Sequence, residues 1–500
     1  MPMSDILLLG VDLGAGSLKS TVISGDGKVL ATASVAVETL TPKPGFSEQD
    51  PEGWWSALVE SLQKIWHAGI DPGRVAAVSV TAGAHTHVLE DEVGRTLRPA
   101  IMWNDQRSGP QVARERAARG PRILELSGNR VSPTWTLPQL AWLREEEPEV
   151  HARIRRLLPA KDWLRRRLDG SDATDLTDAW GLMLADAQRD RWSTELCAMA
   201  GLEPGVLPQI VGSTATTGTV TAAAAAQTGL KKGTSVVCGT SDTNAETYAA
   251  GMTRSGIGAL KLATAGTVST LTAAPVFSDD VIHYPHLVPG HHYAILGTNS
   301  CASAHRWLRD ALFAEIGFDG MDKKAQEAPA GSEGLLFHPY LNGERSPYWD
   351  PDLRASFVGL GFQHGAPHIC RALYEGIAYT LRDCLTVLHA RGMGFDTARL
   401  VGGGTRSALW RQIIADVTGL TIEVPAEGDA SYGAALIAGI GIGVFADTVD
   451  AARVIRVAET LTPTAGIAGV YDAGFARFRA AKEALTPINH ETVRAIREAK

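Results

Sequence analysis

The chain has 500 residues, too many for one ordinary core, and its hydrophobic content of 45% excludes a largely disordered protein. A formal charge of −8 at pH 7 argues against a protein that binds nucleic acid through phosphate contacts. The sequence therefore predicts at least two globular domains, with a ligand site in the cleft between them.

The cysteines and the N-terminal residues indicate in which cellular compartment the protein works. The five cysteines are widely spread without a C-x-x-C pair, which is typical of proteins in a reducing environment. The first residues lack the basic start of a signal peptide, and the longest apolar stretch, 434–446, is too short and glycine-rich to span a bilayer. We therefore expect a cytoplasmic protein that does not act at a membrane.

The opening of the chain predicts an antiparallel meander followed by α/β units. A glycine turn separates the first two strands, and a second turn leads into the third. Asp50 then caps a helix that carries Pro51 in its first turn and an apolar stripe. The predicted strands are residues 6–12, 18–24, 28–37 and 75–81.

The second half repeats the pattern of the opening. Residues 259–263 and 268–271 predict two strands, joined by the small-residue turn Thr264–Thr267. Each half contains one glycine turn between two strands. This suggests that a nucleotide-binding domain has been duplicated. The elements predicted after this point are helices 371–389, 408–417 and 431–444 and strands 399–401 and 421–424.

The middle of the chain, residues 145–191, is charge-rich and predicted to be largely helical. Two charge runs occur there, Glu145–Glu147 and Arg165–Arg167. Such runs usually lie on solvated helix faces, and we expect the same here.

The first glycine turn has the features of an anion site. Gly14 and Gly16 allow backbone N–H groups to approach an anion without interference from a Cβ atom. Lys19 adds positive charge, and Asp12 is suited to hold Mg²⁺ through water. The alternative is an ordinary glycine hairpin, because the segment matches neither common phosphate-loop pattern. The similar turn at Thr264–Thr267 favours the anion site.

Asp242 is the candidate for the chemical step. It follows the apolar strand 235–238 within a run of small polar residues. A carboxylate at a strand end is well placed to accept the proton of an attacking hydroxyl during phosphoryl transfer. The alternative is that Asp242 caps a helix beginning at Ala245.

Two further segments suit a small ligand. Gly402–Gly404 follows a strand and permits close packing against the base and sugar of a nucleotide, with Ser407 capping the next helix. Residues 103–107, Trp-Asn-Asp-Gln-Arg, combine an aromatic face with several hydrogen-bonding groups, as a polyhydroxylated ligand requires. Asp105 has the alternative of capping the following helix. His85 lies just past strand 75–81, where a satisfied polar residue is the alternative to a ligand contact.

Together these segments resemble the FGGY carbohydrate kinases over residues 5–480. The most specific match runs from Phe357-Val-Gly-Leu to His368-Ile-Cys-Arg-Ala-Leu-Tyr-Glu375, the C-terminal signature of the family. Supporting matches are Glu48–Pro51, Trp103–Arg107, Pro159–Leu164, Ala173–Asp175 and Pro339–Pro347.

The resemblance implies a fold and an activity. The fold is α/β, a duplicated actin-like or hexokinase-like (ribonuclease H-like) arrangement of two domains with an interdomain cleft. Residues 1–247 are expected to bind the sugar and supply the base, and residues 248–500 to bind ATP. The implied reaction is transfer of the γ-phosphoryl group of ATP, with Mg²⁺, to a hydroxyl of a small sugar. A homodimer is also implied, since dimers are common in the family.

The resemblance also assigns roles to individual residues. Asp242 is the general base, and Asp12 lies near the Mg²⁺. His85, Trp103, Asn104 and Thr243 face the sugar. The residues assigned to ATP are Asp12, Gly14, Gly16, Ser17, Lys19, Gly266, Thr267, Gly402, Gly403, Gly404 and Ser407.

The sequence departs from the family pattern at several positions. These departures bear on the identity of the sugar and less on the class of reaction. Ala15 stands where the family usually has Thr, so that Ser17 would supply the hydroxyl. Gly83-Ala84-His85-Thr86 stands where xylulokinases typically show Gln-Met-His-Gly, and Gln139 replaces a signature Lys. A ketopentose such as D-xylulose is the leading substrate, with gluconate, another pentulose or polyol, or a signalling furanone as alternatives. An actin-like nucleotide switch and an inactive sugar sensor are the alternatives of another class.

Overall fold

The chain forms two compact units in the computed structural model, which describes residues 3–499. The first unit contains the chain up to Thr253 together with Ala273–Tyr293 and Glu427–Ile455. The second contains Arg254–Thr272, Ala294–Ala426 and the chain from Arg456. Two later segments of the chain therefore complete the first unit.

The strands, in chain order, are β1 (Leu7–Leu13), β2 (Ser17–Ser24), β3 (Val29–Ala36), β4 (Glu48–Gln49), β5 (Val75–Ala82), β6 (His87–Glu90), β7 (Ala100–Ile101), β8 (Arg156–Pro159), β9 (Ala173–Asp175), β10 (Ala185–Asp186), β11 (Arg191–Trp192), β12 (Gln209–Val211), β13 (Thr216–Thr219), β14 (Ser235–Val237), β15 (Ile257–Leu262), β16 (Gly266–Thr272), β17 (Ile282–Pro285), β18 (His292–Gly297), β19 (Leu336–His338), β20 (Ser356–Val358), β21 (Thr397–Val401), β22 (Thr421–Pro425) and β23 (Val457–Leu461).

The helices, in chain order, are α1 (Pro51–His67), α2 (Gly109–Ser127), α3 (Thr136–Glu146), α4 (Pro148–Ala152), α5 (Ala160–Asp169), α6 (Leu176–Gly181), α7 (Thr194–Ala200), α8 (Ala222–Thr228), α9 (Asp242–Ala250), α10 (Ala302–Leu312), α11 (Gly317–Glu327), α12 (Ala366–Ala390), α13 (Ala408–Thr418), α14 (Ala430–Gly441), α15 (Thr448–Ala451) and α16 (Ala468–Glu498).

The main sheet of the first unit has the strand order β13-β14-β5-β1-β2-β3. Strands β1, β2 and β3 form an antiparallel meander, as predicted, while β5 and β14 run parallel to β1. β1 reads as a nearly continuous apolar run because it is buried on both faces. Helix α1 packs on β2 and β3, and its start at Asp50 is confirmed, since the Asp50 side chain accepts a bond from the Glu52 N–H.

The main sheet of the second unit confirms the predicted duplication. Six strands of this seven-stranded sheet, in the order β23-β22-β21-β15-β16-β18, repeat the order found in the first unit. β15 is antiparallel to β16 and parallel to β21, just as β1 is antiparallel to β2 and parallel to β5. β22 continues the parallel part, and the edge strand β23 is antiparallel to it, matching β14 and β13. The fold is thus a duplicated α/β fold.

Helix α14 contacts the first strand of the chain at very short range. A Cβ atom at Gly10, in the middle of β1, would lie 1.9 Å from the Ser431 carbonyl oxygen and 2.4 Å from the Ala435 nitrogen. On the other side of the helix, a Cβ at Gly433 would lie 2.2 Å from the Ala245 carbonyl oxygen of α9. Only glycine fits at either contact, so α14 packs tightly between β1 and α9.

One prediction about the charge-rich middle segment is wrong. Arg165 does not lie on a solvated face, because its side chain is fully buried between Asp162, at 3.4 Å, and Asp169, at 2.9 Å. The two carboxylates stand three residues before and four residues after it on helix α5, which places all three side chains on the inward face.

Within residues 3–499, no helix is long and apolar enough to cross a membrane. All five cysteines are free thiols, and all are buried.

Candidate active site

Three of the predicted functional segments meet at the carboxyl edge of the first sheet. The register pairs Leu13 of β1 with Ala82 of β5, and an isolated parallel bridge pairs Ala82 with Ser241 after β14. The next residues of the three strands, Gly14, Gly83 and Asp242, therefore leave the sheet side by side. In open α/β sheets, ligands bind at this edge.

Asp242 is half-buried at the first position of helix α9. Ser241 occupies the N-cap position and Asp242 is the first helical residue, so the alternative in which Asp242 caps the helix is wrong. One carboxylate oxygen, Oδ1, accepts a 2.6 Å hydrogen bond from the Thr243 N–H. The other, Oδ2, faces Gly83, where an added Cβ would lie 3.7 Å away.

Trp103 flanks the same space. Its Cδ1 atom lies 3.6 Å from the position that a Gly83 Cβ would take. The indole is half-buried against the apolar core of the first unit, and Asn104 beside it is exposed. Asp105 is a structural residue, since it is buried and accepts bonds from the Ser47 N–H at 2.6 Å and from Arg107. Ser108 occupies the N-cap position of the helix that follows, so Asp105 is not its cap.

His85 is held in a strained conformation by several partners. Its backbone has φ of 73°, in the left-handed region that non-glycine residues rarely adopt. Thr136 Oγ1 donates to its carbonyl at 2.9 Å, and its Nδ1 lies 2.8 Å from the Gly181 carbonyl oxygen. Its Nε2 lies 3.1 Å from the hydroxyl of Tyr284 on β17. The ring of Trp135 meets the imidazole edge-on, with centroids 4.5 Å apart.

A buried polar network anchors the loop that carries Asp242. Thr240 Oγ1 donates to Asp175 Oδ2 at 2.7 Å, and Thr81 donates to the Thr240 carbonyl at 2.6 Å. Asn244 donates to Thr240 Oγ1 at 3.0 Å, and its own Oδ1 accepts the Leu287 N–H at 3.0 Å. Asp242 is therefore flanked on both sides by residues whose side chains are fixed, which restricts where its carboxylate points.

Lys161 compensates the buried charge of this network. Its ammonium lies 2.7 Å from Asp162, 3.3 Å from Asp175 and 3.4 Å from Asp178, and all four side chains are almost wholly buried. Burial alone would lower the pKa of Lys161, but the surrounding carboxylates raise it well above its usual value. Burial raises the pKa of Asp178, whereas Lys161 and the Thr240 hydroxyl hold the pKa of Asp175 below its usual value against the effect of burial.

Hydrogen bonds hold the first glycine turn in place. Gln49 donates to the Ala15 carbonyl at 2.7 Å and accepts a 2.8 Å bond from the Trp54 indole N–H. Gly14 N–H donates to the Ser17 carbonyl at 3.0 Å, which closes the turn. In the register of β1 and β2, Asp12 stands opposite Lys19. Lys19 in turn lies 2.6 Å from Asp429, the residue that caps helix α14.

The second unit brings its predicted nucleotide residues together at the corresponding edge. Gly402 has φ of 95°, and a Cβ there would lie 2.6 Å from the Leu262 carbonyl at the end of β15. A Cβ at Gly404 would lie 2.7 Å from the Leu262 side chain. Gly266 pairs with the same Leu262 across the turn, and Thr267 follows it on β16. The triple glycine and the second glycine turn are therefore neighbours.

Glu344 accepts hydrogen bonds from the backbone next to this second turn. Its Oε1 accepts the Asn299 N–H at 2.6 Å and the Arg345 N–H at 2.7 Å. Thr298, next to Asn299, accepts the Gly266 N–H at 3.1 Å through its hydroxyl. Burial raises the pKa of Glu344 to about 8. Ser407 caps helix α13 as predicted, accepting the Trp410 N–H at 3.1 Å.

Several residues that shape the edge of the first sheet were not predicted from the sequence. Thr240 and Asn244 stand two residues on either side of Asp242, and this spacing is a signal that was available in the sequence. Asp175 belongs to a segment already noted for its family resemblance. Tyr284 gave no such signal, because it lies 199 residues from His85 and on a short strand that was not predicted.

The fold and these edges define a class of protein, a kinase that transfers a phosphoryl group from ATP to a sugar hydroxyl. Models of the N-terminal and C-terminal domains of the FGGY family of carbohydrate kinases match residues 7–248 and 235–442. The chain belongs to the FGGY family of carbohydrate kinases.

Individual relatives are similar over nearly the whole chain. A xylulose kinase of Lactococcus lactis is 32% identical over 89% of this chain and 89% of its own. The crystal structure of xylulose kinase from Rhodospirillum rubrum is 32% identical, with a TM-score of 0.89 over 97% of this chain and 100% of that one. A gluconokinase of Bacillus subtilis is 28% identical over 89% of each chain.

Proposed function

We propose that this kinase phosphorylates a ketopentose, with D-xylulose as the leading substrate. The xylulose kinases of Lactococcus lactis and Rhodospirillum rubrum support this assignment through their similarity over most of the chain. The observation that carries the chemistry is the Asp242 carboxylate, whose Oδ2 faces the small space beside Gly83 and Trp103.

Asp242 acts as the general base in this proposal. Phosphoryl transfer requires little covalent chemistry from the protein. The main tasks of the protein are therefore to position the acceptor hydroxyl and to remove the proton of that hydroxyl. The anchored loop around Asp242 supports this role, since Oδ1 is engaged by the Thr243 N–H and Oδ2 is directed at the Gly83 space. An acceptor hydroxyl placed there would donate its proton to Oδ2.

The two glycine turns are proposed to bind the phosphates of ATP. Gly14, Gly16, Ser17 and Lys19 belong to the first unit, and Gly266 and Thr267 to the second. Gly402–Gly404 would contact the adenosine, because backbone without side chains allows a flat base to approach closely. This assignment follows the proposed division of labour between residues 1–247 and 248–500.

Asp12 is the proposed residue for Mg²⁺. Its half-buried carboxylate stands near the end of β1, and in the sheet only β5 lies between β1 and β14, the strand that leads to Asp242. A hard oxygen donor of this kind fits the ion. When bound, Mg²⁺ would neutralise charge on the transferred phosphoryl group. His85, Trp103, Asn104 and Thr243 are the proposed sugar contacts.

Gluconate is the second candidate acceptor. The gluconokinase of Bacillus subtilis, 28% identical, is the observation that favours it. Gluconate carries a carboxylate where a ketopentose carries a hydroxymethyl group, so the two differ in charge and in hydrogen-bond donors. We further propose that the protein works in the cytoplasm, where ATP is available and its five free thiols stay reduced.

A coupled assay of ADP release tests the proposal. The panel contains D-xylulose, other pentuloses, polyols and D-gluconate, with ATP and Mg²⁺ throughout. We expect the highest kcat/KM on D-xylulose, and Asp242→Asn to remove most of the turnover while ATP affinity changes less than about threefold. ATP turnover that no sugar stimulates would instead favour the nucleotide switch, and a sugar that binds without a product would favour the sensor.

A further inference from the structure

The second glycine turn, between β15 and β16, is held by one buried threonine. The Thr298 hydroxyl accepts the Gly266 N–H at 3.1 Å, and the Thr298 N–H donates to the Gly266 carbonyl at 2.8 Å. A Cβ atom on Gly266 would lie only 2.9 Å from the same hydroxyl. Because Thr298 is fully buried, these two bonds determine where the backbone of Gly266 lies.

The segment that contains Thr298 is bound in turn to the loop of Glu344. Glu344 Oε1 accepts the N–H of Asn299, which directly follows Thr298, at 2.6 Å. On the other side of Thr298, the Gly297 N–H donates to the Ser346 hydroxyl at 3.2 Å, and the Gly297 carbonyl accepts the Ser346 N–H at 3.0 Å. Thr298 therefore lies between two residues that the same loop holds.

The two oxygens of the Glu344 carboxyl group have different surroundings. Oε1 accepts two backbone N–H groups, those of Asn299 and Arg345. Oε2 is buried and has no hydrogen-bond partner within the part of the chain that the structure describes. A negative charge near an oxygen without a donor is costly in a protein interior. The geometry therefore favours a carboxyl group that carries a proton on Oε2, in agreement with the raised pKa of Glu344.

Titratable and charged side chains from several elements face Glu344. The Arg345 guanidinium acts to lower the pKa of Glu344, and the Asp383 carboxylate of α12 acts to raise it. Burial raises the pKa of three further groups, which therefore remain uncharged at pH 8, namely the phenol of Tyr340 and the thiols of Cys301 and Cys384. A change of charge in this cluster near pH 8 would thus belong to Glu344 or to Asp383, and Glu344→Gln distinguishes the two.

We propose that Glu344 is a positioning residue for ATP, whose uncharged carboxyl group holds Thr298 and, through it, the second glycine turn. This inference rests on the proposed function, which assigns Gly266 and Thr267 to the phosphates of ATP, and deepens it. An ionised Glu344 would place a negative charge beside the segment that holds the turn, and ATP is itself an anion. Binding of ATP and binding of a proton by Glu344 are therefore linked, and each favours the other.

The pH dependence of the Kd for ATP, measured by calorimetry with Mg²⁺ present, tests the charge of Glu344. For the wild-type protein we expect the Kd to rise between pH 7.5 and 9.5 by at least about threefold, and by about twenty-five-fold if only the uncharged form binds. Glu344→Gln offers an amide oxygen to the same two N–H groups and cannot ionise. It should bind ATP at pH 7.5 within about threefold of the wild-type Kd and should show no such rise. A rise in Glu344→Gln equal to that of the wild-type protein would overturn the inference.

Two further variants test the positioning role at pH 7.5. Glu344→Ala removes the acceptor of the Asn299 N–H, and Thr298→Val removes the acceptor of the Gly266 N–H. Both should raise the Kd for ATP by roughly fivefold or more, because one hydrogen bond that fixes the turn is lost. Both should also accelerate amide hydrogen exchange in residues 263–267 of the ATP-free protein. Thr298→Val is nearly isosteric and keeps the test decisive if Glu344→Ala does not fold. Unchanged exchange of the turn in a folded variant would overturn the inference.

Glu375 of α12 provides a matched control. Like Glu344, it is a carboxylate of the second unit that is 2% exposed, and its Oε1 accepts the Gly331 N–H at 2.9 Å. Glu375→Gln should therefore keep the wild-type rise of the Kd with pH. If Glu375→Gln abolishes the rise as Glu344→Gln does, the loss of any buried carboxylate has this effect, and the specific role of Glu344 is wrong.

Thr267→Val separates this inference from the proposed function. It removes a hydroxyl that is proposed to contact the phosphates and leaves the bonds among Gly266, Thr298 and Glu344 in place. If Thr267→Val raises the Kd for ATP and the Glu344 variants do not, the inference fails while the assignment of the turn to ATP stands. If Thr267→Val leaves the Kd unchanged, that assignment fails, and hydrogen exchange still decides whether Glu344 holds the turn.

Discussion

The Nζ atom of Lys19 lies 2.6 Å from Oδ2 of Asp429, although 410 residues separate them in the chain. The ion pair joins the strand after the first glycine turn to the residue that caps helix α14. Lys19 lowers the pKa of Asp429 against the effect of burial, which would raise it. The lysine that we propose for phosphate binding thus already has a structural partner.

Substitutions on the two sides of this pair should have different effects. Both side chains are about one-third exposed, so Lys19→Met and Asp429→Asn should each cost less than about 1 kcal/mol of stability through the lost pair. Only Lys19→Met should raise the KM for ATP, because only Lys19 is proposed to bind phosphate. Steady-state kinetics with a thermal melt of each variant measures both. An equal rise in the KM for ATP in Asp429→Asn would show that the pair, and not the lysine charge, governs ATP binding.

Gly83 should control the size of the acceptor. A methyl group there would make ordinary contacts, 3.6 Å from Trp103 and 3.7 Å from the Asp242 carboxylate, so Gly83→Ala should fold normally. It would occupy the space proposed for the sugar, and we expect the KM for the sugar to rise by about fivefold or more, while the KM for ATP changes little. Gly53→Ala, on the exposed side of helix α1 with open space around its Cβ, is the control. Unchanged sugar kinetics in Gly83→Ala would place the sugar elsewhere.

The anchor of the Asp242 loop can be tested with two substitutions at one carboxylate. Thr240 and Ser213 both donate to Asp175 Oδ2, at 2.7 Å and 3.0 Å, but only Thr240 belongs to the loop of Asp242. Thr240→Val should lower kcat by roughly tenfold or more, since a misplaced base is an inefficient one, and should leave the KM for ATP unchanged. Ser213→Ala should change kcat less than about twofold. Equal effects of the two substitutions on kcat would contradict a positioning role for Thr240.

Glu344 should make stability depend on pH. Its pKa is raised by burial from 4.5 to about 8 in the folded protein, so the folded state binds more protons than the unfolded state between these values. Its contribution to stability is therefore fully present below about pH 4.5 and is lost as the pH rises through about 8. Glu344→Gln removes the titration, and its Tm should fall less than that of the wild-type protein between pH 5 and about 8. Parallel Tm profiles would mean that Glu344 does not titrate in this range.

The duplicated architecture was predictable because its signals are local. A glycine turn between two apolar runs is visible in each half, and β1, β2 and β3 begin and end within two residues of the predicted positions. The end of α14 was less accurate, since the helix stops at Gly441 and not at 444. That Asp242 comes after an apolar strand also follows from a local pattern, whereas its position beside Gly83 depends on the pairing of β14 with β5 and was not predicted.

Contacts between segments that are far apart in the sequence could not be predicted. Tyr284 reaches His85 across 199 residues, and Lys19 reaches Asp429 across 410. The error at Arg165 has a different cause. A run of three arginines is usually solvated, and the run itself does not reveal that Asp162 and Asp169 lie on the same inward face and compensate one charge.

Because helix α14 packs on Gly10, β1 can be covered only late in the synthesis of the chain. The first strand leaves the ribosome more than 400 residues before the helix that covers it, and the second unit's sheet strands β15, β16, β21 and β22 are made in between. A nascent or truncated chain that ends near Thr253 therefore presents one face of β1 without its natural cover. Cutting this protein at the midpoint of its duplication would divide the sequence into halves but would leave the first half without the helix that closes its core.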